Sequence, residues 1–356
     1  MISGILLMAS LKLIVSPNSF GGMMFTRIVL FVMASAALSL CLSVPGAPAQ
    51  AAILADHTIV SQFPTIPESV IYQIRNNYRI FYGHTSHGSQ IVTGMGMVYD
   101  EDTLYAYNNG TGTLSLTETG GDLGANGDLS WVAPTRSYLD SHPTCNMVMW
   151  SWCGQVSSNT EEGINIYLNA MTELEQDYPG VTFVYMTGHL DGTGPEENLY
   201  VRNNQIRAYC ASHNKVLFDF ADIESYDPDG TYYPDGSDDC AWCSVWCSTH
   251  SCLDCGGSCA HSHCFNCYQK GKSFWWMMAR IAGWNSQTPG RGDVNGDALV
   301  NITDAVFVID YIFGGGPAPN PYEQGDCDCN AMVNISDAVY LINYIFGGGP
   351  QPCSGL

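Results

Sequence analysis

The chain has 356 residues and a formal net charge of −22, with 34 Asp and Glu against only 12 Lys and Arg. So few cations leave no basic surface to neutralise phosphates or to draw the chain to anionic lipid, which argues against nucleic acid as a partner. The length accommodates one sizeable domain and a small appendage, and the acidity reads as oxygen ligands for a hard divalent cation.

In chain order, the first segment is not expected to belong to the fold. Arg27 precedes an apolar run from Ile28 to Val44 and the small-residue sequence from Ala47 to Ala52. Charge, apolar run and small residues in that order predict a secretory signal peptide over residues 1–51, cleaved after Ala49 or Ala51. The competing readings are a membrane anchor and a lipoprotein site at Cys41, where Leu40 is larger than lipid attachment normally accepts. No later run approaches the ~20 apolar residues of a membrane span, so the mature chain is expected outside the cell or at its surface without a transmembrane segment. The 15 cysteines suit that oxidising destination.

Residues 52–284 alternate short apolar runs with longer amphipathic ones. Arg79 to Tyr82, Asn146 to Trp150, Val181 to Met186 and Lys215 to Phe220 read as buried strands, and Glu161 to Tyr178 and Pro195 to Asn214 as helices. That alternation predicts an α/β domain, a parallel sheet with helices on both faces, whose site lies in the loops at the C-terminal strand ends. The polar residues crowd there, in Gly83 to Ser89, Ser151 to Gln155, Thr187 to Asp191 and Asp222 to Asp229. Ser86 has a plain alternative as a helix cap, and Asp191 and Asp227 as turn residues. Trp150, Trp152, Trp275 and Trp276 are core, or else a sugar-stacking platform.

Between residues 240 and 267 an insertion carries eight cysteines with His250, His261 and His263 among them. Behind a signal peptide the expectation is disulfides, with 105 possible pairings; a zinc site is the alternative. A final helix is expected from Ser273 to Gly283.

The order of these loops resembles the SGNH/GDSL hydrolases, esterases with a flavodoxin-like parallel sheet. The resemblance implies Ser86 as nucleophile, Gly154 and Gln155 in the oxyanion block, and His261 or His263 as the base. The family's Gly-Asp-Ser, its oxyanion Asn and an Asp three residues before the His are absent.

After a linker at 285–291, residues 300–317 and 333–350 match at 14 of 18 positions, an internal duplication. Before and within each copy, oxygen-bearing side chains fill positions 1, 3, 5, 9 and 12 of a calcium loop. These are Asp293, Asn295, Asp297, Asn301 and Asp304, and again Asp326, Asp328, Asn330, Asn334 and Asp337; Leu299 and Met332 supply the position 7 carbonyls. Ala298 and Ala331 stand where a full EF-hand prefers Gly for its sharp turn. One loop and one helix per repeat resembles the dockerin type I domain, here a small all-α module over residues 292–356. The resemblance implies two Ca2+ ions and a cohesin-type module or surface scaffold as partner. It also implies a place beside polysaccharide-degrading enzymes, hence a carbohydrate esterase acting in polysaccharide breakdown. The alternative is a non-catalytic surface or carbohydrate-binding protein that keeps the fold. Cys327 or Cys329 is expected to pair with Cys353.

Overall fold

The computed structural model describes residues 51–284, 291–296 and 300–353. The expected signal peptide and linker, apart from Ala51 and Arg291, lie outside the described residues, as do Asp297, Ala298 and Leu299. In chain order the large domain contains β1 (Ile53–Ala55), α1 (Glu68–Asn77), β2 (Arg79–His84), α2 (Ser89–Glu101), β3 (Ser115–Gly120), α3 (Val132–Ser141) and β4 (Met147–Trp150). It continues through α4 (Glu161–Asp177), β5 (Thr182–Met186), α5 (Asn198–Ser212), β6 (Val216–Phe218), α6 (Phe220–Ser225), α7 (Ala241–Cys247) and α8 (Cys264–Ile281).

The six strands form one sheet in the order β1-β6-β5-β4-β2-β3, every pairing parallel. Counted from β2, five of them run 2-1-3-4-5, the flavodoxin-like order, with β1 added beyond β6. The central strands are near-continuous apolar runs because both faces are covered. Phe81 stacks on Tyr138 of α3, while its neighbour Tyr82 reaches the Gly88 carbonyl at the start of α2, so adjacent residues serve opposite faces. Helix α4 illustrates the local logic. Thr160 caps it by accepting from the Gly163 N–H, Glu161 and Glu162 sit at its positive end, and Ile164, Tyr167, Leu168, Met171 and Leu174 bury one stripe.

Three features differ from the expectation. β1 is only three apolar residues long, too short to stand out, and β3 is an edge strand in which only Leu116 is buried, so it carries no apolar signature. Helix α8 begins at Cys264 rather than Ser273, because its first half buries Asn266, Gln269 and Lys270 among apolar residues and so hides the periodicity. All four tryptophans named above are at most 5 % exposed and belong to the core, which removes the stacking platform.

Helices α2 and α8 cross at Gly94 and Gly271. A Cβ on Gly94 would lie 1.8 Å from the Cys267 carbonyl oxygen, and one on Gly271 would lie 2.2 Å from the Gly94 carbonyl carbon. Only glycine at both positions allows this backbone contact. The insertion ahead of α8 is closed by Cys240–Cys243, Cys247–Cys252, Cys255–Cys264 and Cys259–Cys267. With all eight thiols paired, a cysteine-ligated zinc there is ruled out in this oxidised form.

The C-terminal module contains α9 (Ile302–Ile309) and α10 (Ile335–Gly347), packed over a small core of Val294, Ala305, Val308, Cys327, Val333, Ala338 and Leu341. Cys329 is the residue that pairs with Cys353. Among the described residues no helix is long and apolar enough to cross a membrane.

Candidate functional site

In open parallel sheets the ligand crevice lies outside the carboxyl ends of the strands, where strand order reverses. Here that point falls between β2 and β4. The segments leaving these strands approach so closely that a Cβ on Gly88 would sit 2.2 Å from Ser151 Oγ.

His87, 6 % exposed, occupies the centre. Its Nδ1 lies 3.2 Å from Cys153 Sγ and its Nε2 lies 2.9 Å from Asp238 Oδ2. An ionised carboxylate can only accept, so Nε2 carries the proton and Nδ1 presents its lone pair to the thiol. Asp238 arrives on the connection between α6 and α7. An Asp191–Ser237 antiparallel bridge fixes that connection, together with the Gly192 N–H donating to the Gly236 carbonyl at 3.1 Å.

Two further imidazoles stack on His87, His189 at 3.6 Å and His261 at 4.6 Å between centroids. Burial holds His87 below the ordinary imidazole value. The Asp238 hydrogen bond opposes that, and the His189 and His261 rings add to it. At neutral pH the ring is therefore a neutral base.

Underneath, the fully buried Glu224 ties several elements together. Its Oε2 accepts from the Leu190 N–H at 2.8 Å and its Oε1 from Lys270 Nζ at 2.6 Å, and the Lys270 side chain is equally buried.

The structure redistributes the roles expected from sequence. Ser86 does not cap α2, whose N-cap is Gly88, and its hydroxyl has the Cys153 thiol at 3.8 Å as its hydrogen-bond partner. His261 stacks on His87 instead of bonding Ser86, and His263 caps α8 by accepting from the Phe265 N–H. Gln155 Oε1 accepts from the Cys153 N–H at 2.6 Å, and Gly154 is exposed beside it. Asp191 is a turn residue, accepting from the Thr193 N–H and from Ser157 Oγ. His87, Cys153 and Asp238 were not singled out from sequence. The cysteine count conceals one of them: ten of the fourteen described cysteines are paired, while Cys145, Cys153, Cys210 and Cys327 are free.

His87, His189 and Asp238 also bring potential ligand atoms within 4.8 Å of one another. The two rings nevertheless lie parallel, with centroids 3.6 Å apart. An ion between stacked faces would lie out of both ring planes, whereas imidazole lone pairs lie in the plane and reach zinc at about 2.0–2.1 Å. As arranged, the cluster suits proton transfer and not chelation.

In the second C-terminal loop, carboxylate oxygens of Asp326, Asp328 and Asp337 gather within 4.8 Å. N–H groups of the same loop support them. Asn330 donates to Asp326 Oδ1 at 2.9 Å, Cys327 to Asp337 Oδ1 at 2.7 Å, and Asn334 to Asp337 Oδ2 at 2.8 Å. Asp304 repeats this role in the first loop, taking the Val294 and Asn301 N–H groups at 2.8 Å each. Three convergent carboxylates with adjacent amide oxygens and carbonyls fit a calcium ion. Ala331 holds the turn at φ 66°, in the left-handed region.

Residues 291–346 match the dockerin type I domain family. A search of curated proteins finds no match. Among solved structures the chain is similar to a candidate acylhydrolase from Bacteroides fragilis, at 11 % identity over 50 % of this chain and 85 % of that one, with a TM-score of 0.29. So shallow a likeness adds nothing to the chemistry, which rests on the geometry above. The C-terminal segment, with its duplicated loop and helix, is a dockerin type I domain.

Proposed function

We propose that the chain is a secreted, dockerin-tethered acyl hydrolase in which Cys153 is the nucleophile, His87 its base and Asp238 the carboxylate that orients the base. The observation that carries this reading is His87 itself, buried, with one nitrogen on a free thiol and the other on a carboxylate. His87 Nδ1 takes the thiol proton as Sγ attacks an ester carbonyl, and Asp238 stabilises the imidazolium that forms. The imidazolium then protonates the departing alcohol, leaving an acyl thioester on Cys153. His87 next takes a proton from a water that attacks this thioester, which releases the carboxylic acid and restores the thiol. The backbone N–H groups of Gly154 and Gln155 have no intramolecular partner among the described residues and lie next in the chain to Cys153, so they are the donors available to the oxyanion.

The dockerin supports calcium-dependent docking on a cohesin-type module, with two Ca2+ sites. The signal-like N-terminus and five disulfides support export. Esters on carbohydrate are the substrate class that fits this company.

The test is alkylation of the mature protein by iodoacetamide with peptide mapping, alongside hydrolysis of p-nitrophenyl acetate. Selective labelling of Cys153, with hydrolysis lost in Cys153→Ala and kept in Ser86→Ala, is expected. Hydrolysis surviving in Cys153→Ala but lost in Ser86→Ala would return the nucleophile to Ser86. Inertness of the folded wild type would leave a tethered non-catalytic protein.

A further inference from the structure

We propose that His189 and His261 are positioning residues that clamp the His87 ring face to face, and that the disulfide-closed insertion serves to deliver one jaw of the clamp. This rests on the Cys153, His87, Asp238 reading. Contacts at Nδ1 and Nε2 fix the edge of an imidazole but leave it free to tilt about the line joining the two nitrogens. Groups against the ring faces remove that tilt. His189 lies parallel to His87 at 0° and His261 at 17°. Among the described ring contacts none joins His189 to His261, as expected for rings on opposite faces of His87.

Both jaws are anchored independently of His87. His189 Nδ1 bonds the Leu190 carbonyl at 2.6 Å, and the Leu190 N–H is held by buried Glu224. His261 sits at φ 61°, a conformation disfavoured for a residue with a Cβ. The preceding carbonyl, of Ala260, accepts from the buried Gln90 side chain at 2.6 Å, and Cys255–Cys264 and Cys259–Cys267 close the chain on either side. A left-handed residue pinned between two disulfides, with its ring laid on the base, gives the insertion a role beyond stapling a loop.

The clamp has an electrostatic consequence. Cys153, Asp238, Glu224, His189 and His261 are the titratable groups that face His87. The two carboxylates favour an imidazolium, and either flanking imidazole disfavours one whenever it is itself protonated. Burial is the first cause that holds the His87 ring below its ordinary value, and the two flanking rings add to it.

The experiment is the pH dependence of kcat/KM for p-nitrophenyl acetate in the full chain, for wild type, His261→Phe and His261→Ala, with folding verified by circular dichroism. Phe retains a stacking ring and removes the charge, so its plateau is expected within about twofold of wild type. Its acid limb is expected to move up by about half a pH unit. Ala removes both, and its plateau is expected to fall about tenfold. Equal plateaus and limbs in all three proteins would overturn the clamp while leaving the nucleophile assignment intact. An equal loss in Phe and Ala would also overturn it, because stacking would then not be what matters. Absence of hydrolysis and of selective Cys153 alkylation in the wild type would remove the catalytic reading, and the clamp with it.

Discussion

The second calcium loop and the crevice between β2 and β4 both concentrate ionisable side chains, yet they hold them by opposite means. In the loop, Asp326, Asp328 and Asp337 are close in sequence, and most of the bonds that orient them come from N–H groups of the same loop, with Arg291 the distant partner of Asp326. In the crevice, Cys153 lies 66 positions and Asp238 lies 151 positions from His87. A strand-like bridge holds the connection of Asp238, and the rings stacked on His87 are tied to a buried ion pair and a disulfide-closed segment. A site contained in one loop lasts as long as the loop keeps its ion. A site assembled from distant connections lasts as long as the domain keeps its packing.

The largest expected effect breaks the crevice without touching the loop. Asp238→Asn leaves the shape but removes the charge that stabilises the imidazolium and can turn the tautomer, so p-nitrophenyl acetate turnover is expected to fall by about 10³- to 10⁴-fold. Unchanged turnover in steady-state kinetics would place Asp238 outside the chemistry. Next comes Lys270→Ala, which strands Glu224 as a buried uncompensated carboxylate and is expected to cost about 3–5 kcal/mol. Urea denaturation of the full chain measures it, and a midpoint within error of wild type would show that the pair is not what ties the connections together.

Chelation tests the other side. Removing calcium from a site bound at about 100 times its Kd withdraws about 2.7 kcal/mol. Calorimetry should then show EDTA lowering the dockerin transition while the large-domain transition stays put; a shift of the large domain would blur the contrast between the two sites. The smallest effect is Ala331→Gly. It relieves a left-handed alanine but loosens the unfolded chain, for a net gain of about 0.5–1 kcal/mol. A loss in the melting experiment would mean that the alanine side chain is supporting the loop.

Legibility in the sequence followed the same divide. The dockerin repeat could be read because Asp326 to Asp337 carry their spacing with them. The sheet could be read where strands were buried on both faces, as with residues 147–150 and 182–186, but not at β3, whose polar edge residues carry no pattern. The loops at the strand ends can be read from their polar residues, and there the family pattern points to Ser86 and His261, whereas the geometry brings His87, Cys153 and Asp238 together. The family pattern drew attention to hydroxyl and terminal histidine, while the thiol that bonds His87 was counted among cysteines expected to be oxidised. Asp238 lay outside every motif, since its role depends on a bridge to Asp191 that no local spacing reveals.

The crossing of α2 and α8 at Gly94 and Gly271 has a mechanical consequence. Helix α2 starts just after His87, and α8 starts just after His261, so the two rings are the near ends of two levers that share one fulcrum. With backbone against backbone at that fulcrum there is no side chain to compress. The spacing between the levers is therefore set by van der Waals contact of the two backbones, and changes in the core on the far side of the sheet should leave it unaltered. A single methyl at the fulcrum, as in Gly271→Ala, would act at a distance by opening the lever ends.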